Sequence, residues 1–247
     1  MVLCGGFYRF CQEEEWKDQM NRVREFFKSR QLRNNPAELL CREYIEYDAI
    51  DKGTRNRDDL IRTMVKGCNV LEDLGVKYSL GRGSILGFYR DNDFLPKDID
   101  IDIDVFADRE VYEIIRKMPF EILFVSSCRG RYMQLGFIDR PTDIIFDIWF
   151  YHEQDSIMTN RNYFGHFWLP SEKIASLRTM DIFGRSYPVP DPEWYCDFWY
   201  GKNWRTPKSY GKDWSIAYRE DCKGFIYTGV KNVEYLHHYS VKNSNIK

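Results

Sequence analysis

The segment PKDIDIDIDVF, residues 96–106, places four aspartates at alternate positions with aliphatic residues between them. A period of two with β-branched residues predicts a half-buried β-strand whose aspartates, Asp98, Asp100, Asp102 and Asp104, share one face. Neighbouring carboxylates on such a face lie roughly 6–7 Å apart. Each like-charge pair then costs about 2–3 kcal/mol at an effective dielectric constant near 20. Some feature of the folded protein must offset this repulsion.

Two interpretations of the four carboxylates remain open from the pattern alone. The first is an exposed edge strand that its charges keep soluble, and the second is a site for a divalent cation. An EF-hand calcium loop does not fit, because position six counted from Asp98 is Ile103 rather than Gly, and position twelve is Arg109 rather than Glu. The pattern therefore favours Mg²⁺ or Mn²⁺, which prefer oxygen ligands together with the phosphates of a substrate.

Composition limits the class of protein. The chain of 247 residues is 43% hydrophobic and 30% charged, as is usual for a soluble globular protein. Its 36 basic and 38 acidic residues nearly cancel, so we expect no nucleic-acid partner. No apolar run approaches the roughly 20 residues of a membrane span, and no secretory signal is evident. Seven scattered cysteines without a CxxC pair indicate reduced thiols, and we expect a cytoplasmic protein.

Hydrophobic periodicity predicts the order of elements around the aspartate strand. We expect helices at 58–74, 84–90 and 108–117, and strands at 77–80, 121–125, 132–138 and 144–150. Over residues 151–215 we expect short hairpins and a helix near 191–200. The GRGS turn, residues 81–84, precedes the second of these helices, so its backbone N–H groups can bind a phosphate. Asp147 interrupts the apolar run DIIFDIWF, and a buried carboxylate there needs a partner.

These motifs together resemble the LicD/fukutin family of phospho-alcohol transferases. The family pattern of an aromatic-leucine strand, G-G-[ST], L-G, an arginine, I-P-W-D and alternating aspartates is similar to YSLGRGSILGFYRDNDFLPKDIDID, residues 78–102. The third carboxylate of the family resembles Asp147 in FDIW. Later family motifs resemble FWLP at 167–170, FGRSYPVP at 183–190 and YGKNWRTP at 200–207. The resemblance covers roughly residues 58–208 in the right order.

The resemblance implies an α/β fold, a nucleotidyltransferase-like small mixed sheet flanked by helices. It divides the chain into three segments: an N-terminal helical extension at 1–57, a LicD-type catalytic domain at 58–215, and an unassigned C-terminal tail at 216–247. Within the extension, helical spacing of apolar residues predicts helices over residues 12–31 and 36–47.

The family's activity is transfer of a phospho-alcohol from a CDP-linked donor to a glycan or glycoconjugate hydroxyl, with Mg²⁺ or Mn²⁺ as cofactor. By resemblance, the metal ligands and catalytic acids are Asp100, Asp102 and Asp147. Asp147 would also orient or deprotonate the acceptor hydroxyl. The residues expected to bind the donor are Gly83, Ser84, Arg82, Arg90 and Asp98.

This sequence departs from the family pattern at three positions. Arg82 stands where the family has the first glycine of its pair, and it would either add a phosphate contact or crowd the donor. Lys97 replaces the usual tryptophan, and Ile99 replaces the usual aspartate or aromatic residue. These changes affect the identity of the donor more than metal binding.

Several residues have a structural interpretation beside the functional one. Asp104 is read as a solvated strand end, and Arg90 pairs either with donor phosphates or with Asp98 or Asp93. Arg129 and Arg131 either clamp an anionic substrate or belong to a surface hairpin. Four aromatic residues are expected in the core rather than in an acceptor groove: Trp194, Trp199, Tyr200 and Trp204. Two histidines, His237 and His238, are expected to be exposed.

Three other functions use similar motifs. A nucleotidyltransferase would pass a nucleoside monophosphate to a sugar or another small acceptor, and a sugar-nucleotide glycosyltransferase would also use an Asp-x-Asp pair. A non-enzymatic binding module would keep the fold without a working site, but the intact acids argue against it.

Overall fold

A computed structural model describes residues 55–96, 98–106, 111–128, 131–161, 165–208, 222–227 and 236–240. The helices predicted over 12–31 and 36–47, together with Lys97 and Arg129, lie outside these residues. The boundaries proposed for the three segments of the chain stay predictions.

The described residues form a mixed α/β structure. Its helices are α1 (Arg57–Asp73), α2 (Arg82–Asp91), α3 (Val111–Lys117), α4 (Ser171–Ala175) and α5 (Pro192–Tyr200). Its first six strands are β1 (Tyr78–Leu80), β2 (Asp100–Val105), β3 (Glu121–Cys128), β4 (Arg131–Asp139), β5 (Ile144–Phe150) and β6 (His152–Gln154). The other six are β7 (Ile157–Arg161), β8 (Gly165–Pro170), β9 (Arg178–Ile182), β10 (Arg185–Val189), β11 (Phe225–Tyr227) and β12 (Leu236–Ser240).

The largest sheet has six strands in the order β1-β2-β5-β4-β3-β12. Strands β2 and β5 are parallel, and the other neighbours in this sheet are antiparallel. The expected small mixed sheet is therefore confirmed. Its parallel pair places Asp102 directly opposite Asp147, so two of the candidate acids meet at the centre of the sheet. Strand β12 extends this sheet from the segment that the sequence left unassigned.

Helix α1 confirms the helix predicted over residues 58–74. The side chain of Asn56 caps it by accepting a hydrogen bond of 2.9 Å from the Asp58 N–H. Gly75 follows the helix with φ of 65°, in the left-handed region that favours glycine after a helix end. In the middle of α1, Gly67 lies so close to β5 that an added Cβ would approach the Phe146 ring to 2.3 Å. Helix α1 therefore packs directly on the sheet.

The core explains why the aspartates of β2 are directed away from α1. Ile101, Ile103 and Val105 are completely buried, and they alternate with the acids along the strand. Strand β5 is buried along its whole length, as expected for a strand that is covered on both faces. The aliphatic side chains of β2 thus occupy the core.

The later part of the domain contains the expected short hairpins. Strands β9 and β10 form one hairpin, and β11, β8, β7 and β6 form a four-stranded antiparallel sheet. Helix α5 confirms the helix predicted over 191–200, and Asp191 caps it by accepting a hydrogen bond of 3.0 Å from the Trp194 N–H. Among the described residues, no helix combines the length and apolar character needed to cross a membrane.

Candidate active site

The N-terminus of α2 is bonded directly to the acidic strand. Strand β1 pairs antiparallel with β2, so the turn after β1 lies beside the middle of β2. The Gly81 N–H donates to the Asp102 carbonyl oxygen at 2.9 Å, and the Asp102 N–H donates to Ser84 Oγ at 3.0 Å. The Gly83 N–H donates to Asp102 Oδ2 at 3.2 Å. The predicted phosphate turn and the predicted metal ligand are therefore held together by three hydrogen bonds.

Two glycines permit this close approach. A Cβ added to Gly81 would lie 2.9 Å from Asp104 Cγ, closer than real side-chain contacts allow. A Cβ added to Gly83 would lie 3.3 Å from both Asp102 Oδ2 and Asp98 Oδ2. The carboxylates of Asp98 and Asp102 thus converge at the first turn of α2.

The first acids of the motif repel one another. Burial raises the pKa of Asp98, and the nearby carboxylates of Asp100 and Asp102 raise it further. Burial also raises the pKa of Asp102, Asp100 adds to this effect, and Arg82 opposes it. One correction to the sequence prediction applies here. Strand β2 begins at Asp100, so Asp98 lies in the approach to the strand rather than within it.

Asp147 is 4% exposed and is held through one of its two oxygens. Gln134 Nε2 donates to Oδ2 at 2.7 Å, and Trp149 Nε1 donates to the same oxygen at 3.1 Å. These donors are the partners that the buried carboxylate was expected to need. Oδ1 has no hydrogen-bond partner in the described part of the chain. Burial, followed by repulsion from Asp100, raises the pKa of Asp147 to about 8, although Gln134 and Trp149 lower it.

The structure corrects two sequence predictions at Arg82 and Asp104. Asp104 is completely buried rather than a solvated strand end, and Arg82 is 2% exposed. Arg82 Nη1 lies 2.6 Å from Asp104 Oδ1. Burial raises the pKa of Asp104, and Arg82 together with Tyr195 opposes this rise. Because its guanidinium is buried in this ion pair, Arg82 has no exposed cation for the predicted contact with a donor phosphate.

Aromatic residues surround Arg82, and three of them make its shortest contacts. The Tyr195 hydroxyl donates to Asp104 Oδ2 at 2.9 Å and accepts from the Arg82 N–H at 2.8 Å. Arg82 Nη2 donates to the Tyr151 hydroxyl at 2.9 Å, and Arg82 Cζ lies 3.6 Å from the centre of a Trp149 ring. No sequence pattern points to Tyr195 or Tyr151. Gln134, the donor to Asp147, was also missed.

Arg90 does not make either of the protein contacts considered for it. Its Nε and Nη2 donate to Asp91 at 2.9 and 2.7 Å, and its Nη1 lies 3.5 Å from the Trp204 carbonyl oxygen. Asp93 pairs instead with Arg57 at 3.0 Å. A contact between Arg90 and donor phosphates stays a prediction.

The remaining candidates are Arg131, the aromatic residues and the two histidines. Arg131 is exposed at the start of β4. Trp199 and Trp204 are buried, and Trp194 and Tyr200 pack against the same core, which confirms the structural interpretation of these rings. The two histidines lie in β12, whose backbone pairs with β3 at His237–Ser127 and His238–Ser126.

The acids have the chemistry of a divalent metal site, although their side chains are not arranged around a common point. Within the described ranges, no group of three or more His, Cys, Asp or Glu residues could hold a metal ion as the side chains stand. The available donors are carboxylate oxygens, which Mg²⁺ and Mn²⁺ prefer. Beside burial, the charge of Asp100 raises the pKa values of Asp98, Asp102 and Asp147, and Asp147 Oδ1 has no hydrogen-bond partner in the described residues. A cation bound between Asp100, Asp102 and Asp147 would offset this repulsion and give Asp147 Oδ1 a partner. The three side chains would have to rotate toward it.

The raised pKa of Asp147 predicts how stability depends on pH in the absence of metal ions. Folding raises this pKa from 3.8 to about 8, so the folded state binds the proton more tightly. The resulting stabilisation is complete below pH 4 and is lost as the pH rises through 8. At about 1.4 kcal/mol per pKa unit, the loss is on the order of 5 kcal/mol. Urea unfolding of the wild type and Asp147→Asn in EDTA, at pH 5 and pH 8, measures the larger part of it, about 4 kcal/mol.

We expect the free energy of unfolding of the wild type to fall between these pH values by more than that of Asp147→Asn. An equal pH dependence in the two proteins would contradict the assignment of the raised pKa to Asp147.

Comparison with known proteins finds a family match over the part of the chain that contains the acids. Residues 75–192 match the family model described as LicD/FKTN/FKRP, nucleotidyltransferase domain, and this range includes all the acids discussed above. No curated protein sequence matches the chain. One similar solved structure is the lincomycin-bound lincosamide antibiotic adenylyltransferase LnuA, at 15% identity and a TM-score of 0.39, covering 56% of this chain and 82% of that one. Another is an antigenic nucleotidyltransferase-like protein from Paracoccidioides brasiliensis, at 14% identity and a TM-score of 0.34, covering 58% of this chain and 66% of that one. By the family model, residues 75–192 of this chain are similar to the nucleotidyltransferase domain of the LicD/FKTN/FKRP family.

Proposed function

We propose that this protein transfers a phospho-alcohol group, of the phosphocholine or polyol phosphate type, from a CDP-linked donor to a glycan hydroxyl in a Mg²⁺-dependent reaction. The family match supports a transferase of the phospho-alcohol or nucleotidyl type. The observation that carries the proposal is the position of Asp102. It faces Asp147 across β2 and β5, and it is bonded to the first turn of α2.

The first turn of α2 is the proposed binding site for the donor diphosphate. A helix N-terminus favours negative charge, and its first N–H groups have no partners within the helix. The Gly83 N–H is bonded to Asp102 Oδ2, so a phosphate oxygen would replace that carboxylate oxygen as the acceptor. The Ser84 hydroxyl is buried and accepts from the Asp102 N–H. Its proposed role is to hold the turn against β2.

The residues that would hold the metal ion are Asp100, Asp102 and Asp147. Bound there, Mg²⁺ would neutralise the charge of the diphosphate and of the group being transferred. Without a metal ion, burial and Asp100 raise the pKa of Asp147. A bound cation would lower this pKa and keep the carboxylate ionised, as accepting a proton from an acceptor hydroxyl requires. Since Oδ2 is bonded to Gln134 and Trp149, Oδ1 is the oxygen available for either role.

A second candidate is transfer of a nucleoside monophosphate to a sugar or another small acceptor. The matched family domain is described as a nucleotidyltransferase domain, and this reaction would use the same acids and the same turn. The two reactions differ in the phosphorus atom that is attacked. A cytoplasmic location is part of the proposal, and Cys68 and Cys196, both buried and free, are compatible with it.

A thermal-shift comparison of CDP-choline, CDP-ethanolamine, CDP-ribitol, CDP-glycerol and CTP tests the donor class. At a concentration of 100 times its Kd, a ligand stabilises the folded state by about 2.7 kcal/mol, or roughly 5–10 °C in Tm for a domain of this size. We expect one CDP-alcohol to raise the Tm with Mg²⁺ and not with EDTA, and Asp102→Asn to lose the shift. Equal shifts with and without Mg²⁺ would contradict the proposal, as would no shift with any CDP-alcohol.

A further inference from the structure

Arg82 occupies an unusual backbone position in the turn. Its φ is 38°, in a left-handed region that costs a residue with a Cβ about 1–2 kcal/mol relative to glycine. Its side chain is also 2% exposed, and burying a charge is costly unless the charge is paired. Arg82 therefore places a buried cation in this turn, in a backbone conformation that glycine would adopt without strain. Such an outlier at a functional site indicates a specific role.

The contacts of Arg82 connect two parts of the site. On one side, its Nη1 pairs with Asp104 Oδ1 at 2.6 Å. On the other side, its Cζ lies 3.6 Å from the centre of a Trp149 ring, a distance at which a guanidinium is attracted to the ring face. Asp104 and Trp149 are register partners on β2 and β5, so the ion pair and the ring lie side by side.

Trp149 extends this chain of contacts to Asp147. Its indole Nε1 donates to Asp147 Oδ2 at 3.1 Å, so the orientation of the ring sets one of the two hydrogen bonds that hold the carboxylate. If the ring turned away from Arg82, it would lose both the guanidinium contact and the bond to Asp147. The position of Asp147 Oδ1 then depends in part on Arg82, whose charge also lowers the pKa of Asp147.

We propose that Arg82 is a positioning residue for Asp147 and acts through Trp149, a role that rests on the proposed use of Asp147 in the transfer reaction. Asp104 neutralises and fixes the guanidinium, the guanidinium fixes the indole ring, and the indole N–H fixes the Asp147 carboxylate. Arg82 also holds the first turn of α2 beside β2, because its guanidinium pairs with Asp104 and its backbone N–H shares Tyr195 as a partner with Asp104.

The alternative is that the ion pair between Arg82 and Asp104 only stabilises the fold, and the experiment must distinguish the two roles. Removing one partner of a buried ion pair leaves an uncompensated charge and destabilises strongly, whereas replacing both partners is often neutral or stabilising. Arg82→Met alone is therefore expected to lower the urea midpoint. Arg82→Met combined with Asp104→Asn is expected to restore it, since Asn at 104 can still accept from the Tyr195 hydroxyl.

The decisive readout is hydrogen exchange of the Trp149 indole N–H, measured by NMR on the full chain in EDTA without donor. In the double variant we expect exchange at least tenfold faster than in the wild type, at an unchanged urea midpoint. The indole of Trp204, buried and stacked on Tyr89, serves as the internal reference and should not change. Unchanged Trp149 exchange at a restored midpoint would show that the ion pair only stabilises the fold.

Arg82→Lys provides a second variant if the double variant does not fold. Lysine keeps a charge for Asp104 but lacks the planar guanidinium that contacts Asp104, Tyr151 and the ring at once. We expect faster Trp149 exchange here too, and unchanged exchange would overturn the proposal. Neither arm needs a substrate. Absence of turnover in the wild type would therefore count against the proposed function alone. If the wild type does turn over, the Arg82 variants should have a lower kcat and an unchanged KM for the donor.

Discussion

Asp102→Asn should lower turnover by about a thousandfold or more while the protein remains folded, because it removes a charge from the centre of the site. Asp100→Asn should have an effect of similar size. The expected persistence of the fold follows from electrostatics, since neighbouring carboxylates already raise the pKa of Asp102 and removing a charge relieves this repulsion. The measurement is release of CMP from a CDP-alcohol in the presence of an acceptor, with circular dichroism to confirm folding.

Asp155→Asn is the matched control for these variants. Asp155 is exposed in the turn between β6 and β7, so the same chemical change there should leave turnover unaltered. Near wild-type turnover in Asp100→Asn or Asp102→Asn would remove that residue from the proposed metal site. An equal loss in Asp155→Asn would indicate a general effect of surface charge instead.

Asp147→Asn should reduce turnover by about two to four orders of magnitude, the range typical of a lost general base, with a smaller change in donor affinity. The reason is that Asp147 Oδ1, without a hydrogen-bond partner in the described residues, is the oxygen proposed to act on the acceptor hydroxyl. Calorimetric titration with a CDP-alcohol and Mg²⁺, compared with kcat, separates binding from chemistry.

Asp143→Asn provides the control for this second prediction. Asp143 is exposed just before β5 and has φ of 54°, which asparagine tolerates. If donor affinity in Asp147→Asn instead collapses together with turnover, Asp147 is chiefly a metal ligand, and the acceptor hydroxyl is activated by another group.

The strand and its acids were predictable because they depend on local pattern. A period of two assigns Ile101 and Ile103 to the core and the aspartates to the opposite face, and the structure confirms the burial of both isoleucines. Asp147 was detectable because it interrupts an apolar run, and a charged group in such a place needs partners.

The environment of each acid was not predictable, since it depends on residues far away in the sequence. Asp104 has the same local pattern as Asp102, yet it is completely buried against Arg82 and Tyr195. Those two residues come from the first position of α2 and from α5, which no periodicity brings together. Gln134 likewise has no local signal, and its role follows only from the antiparallel pairing of β4 with β5.

Product analysis tests the central claim most directly, because it identifies the phosphorus atom that is attacked. The protein is incubated with Mg²⁺, an acceptor glycan, and either a CDP-alcohol or CTP, and the nucleotides are separated by anion-exchange chromatography. We predict that CMP appears from a CDP-alcohol only when the acceptor is present, with the alcohol joined to the glycan through a phosphodiester. Release of pyrophosphate from CTP, with no CMP from any CDP-alcohol, would contradict this account and identify the protein as a nucleotidyltransferase.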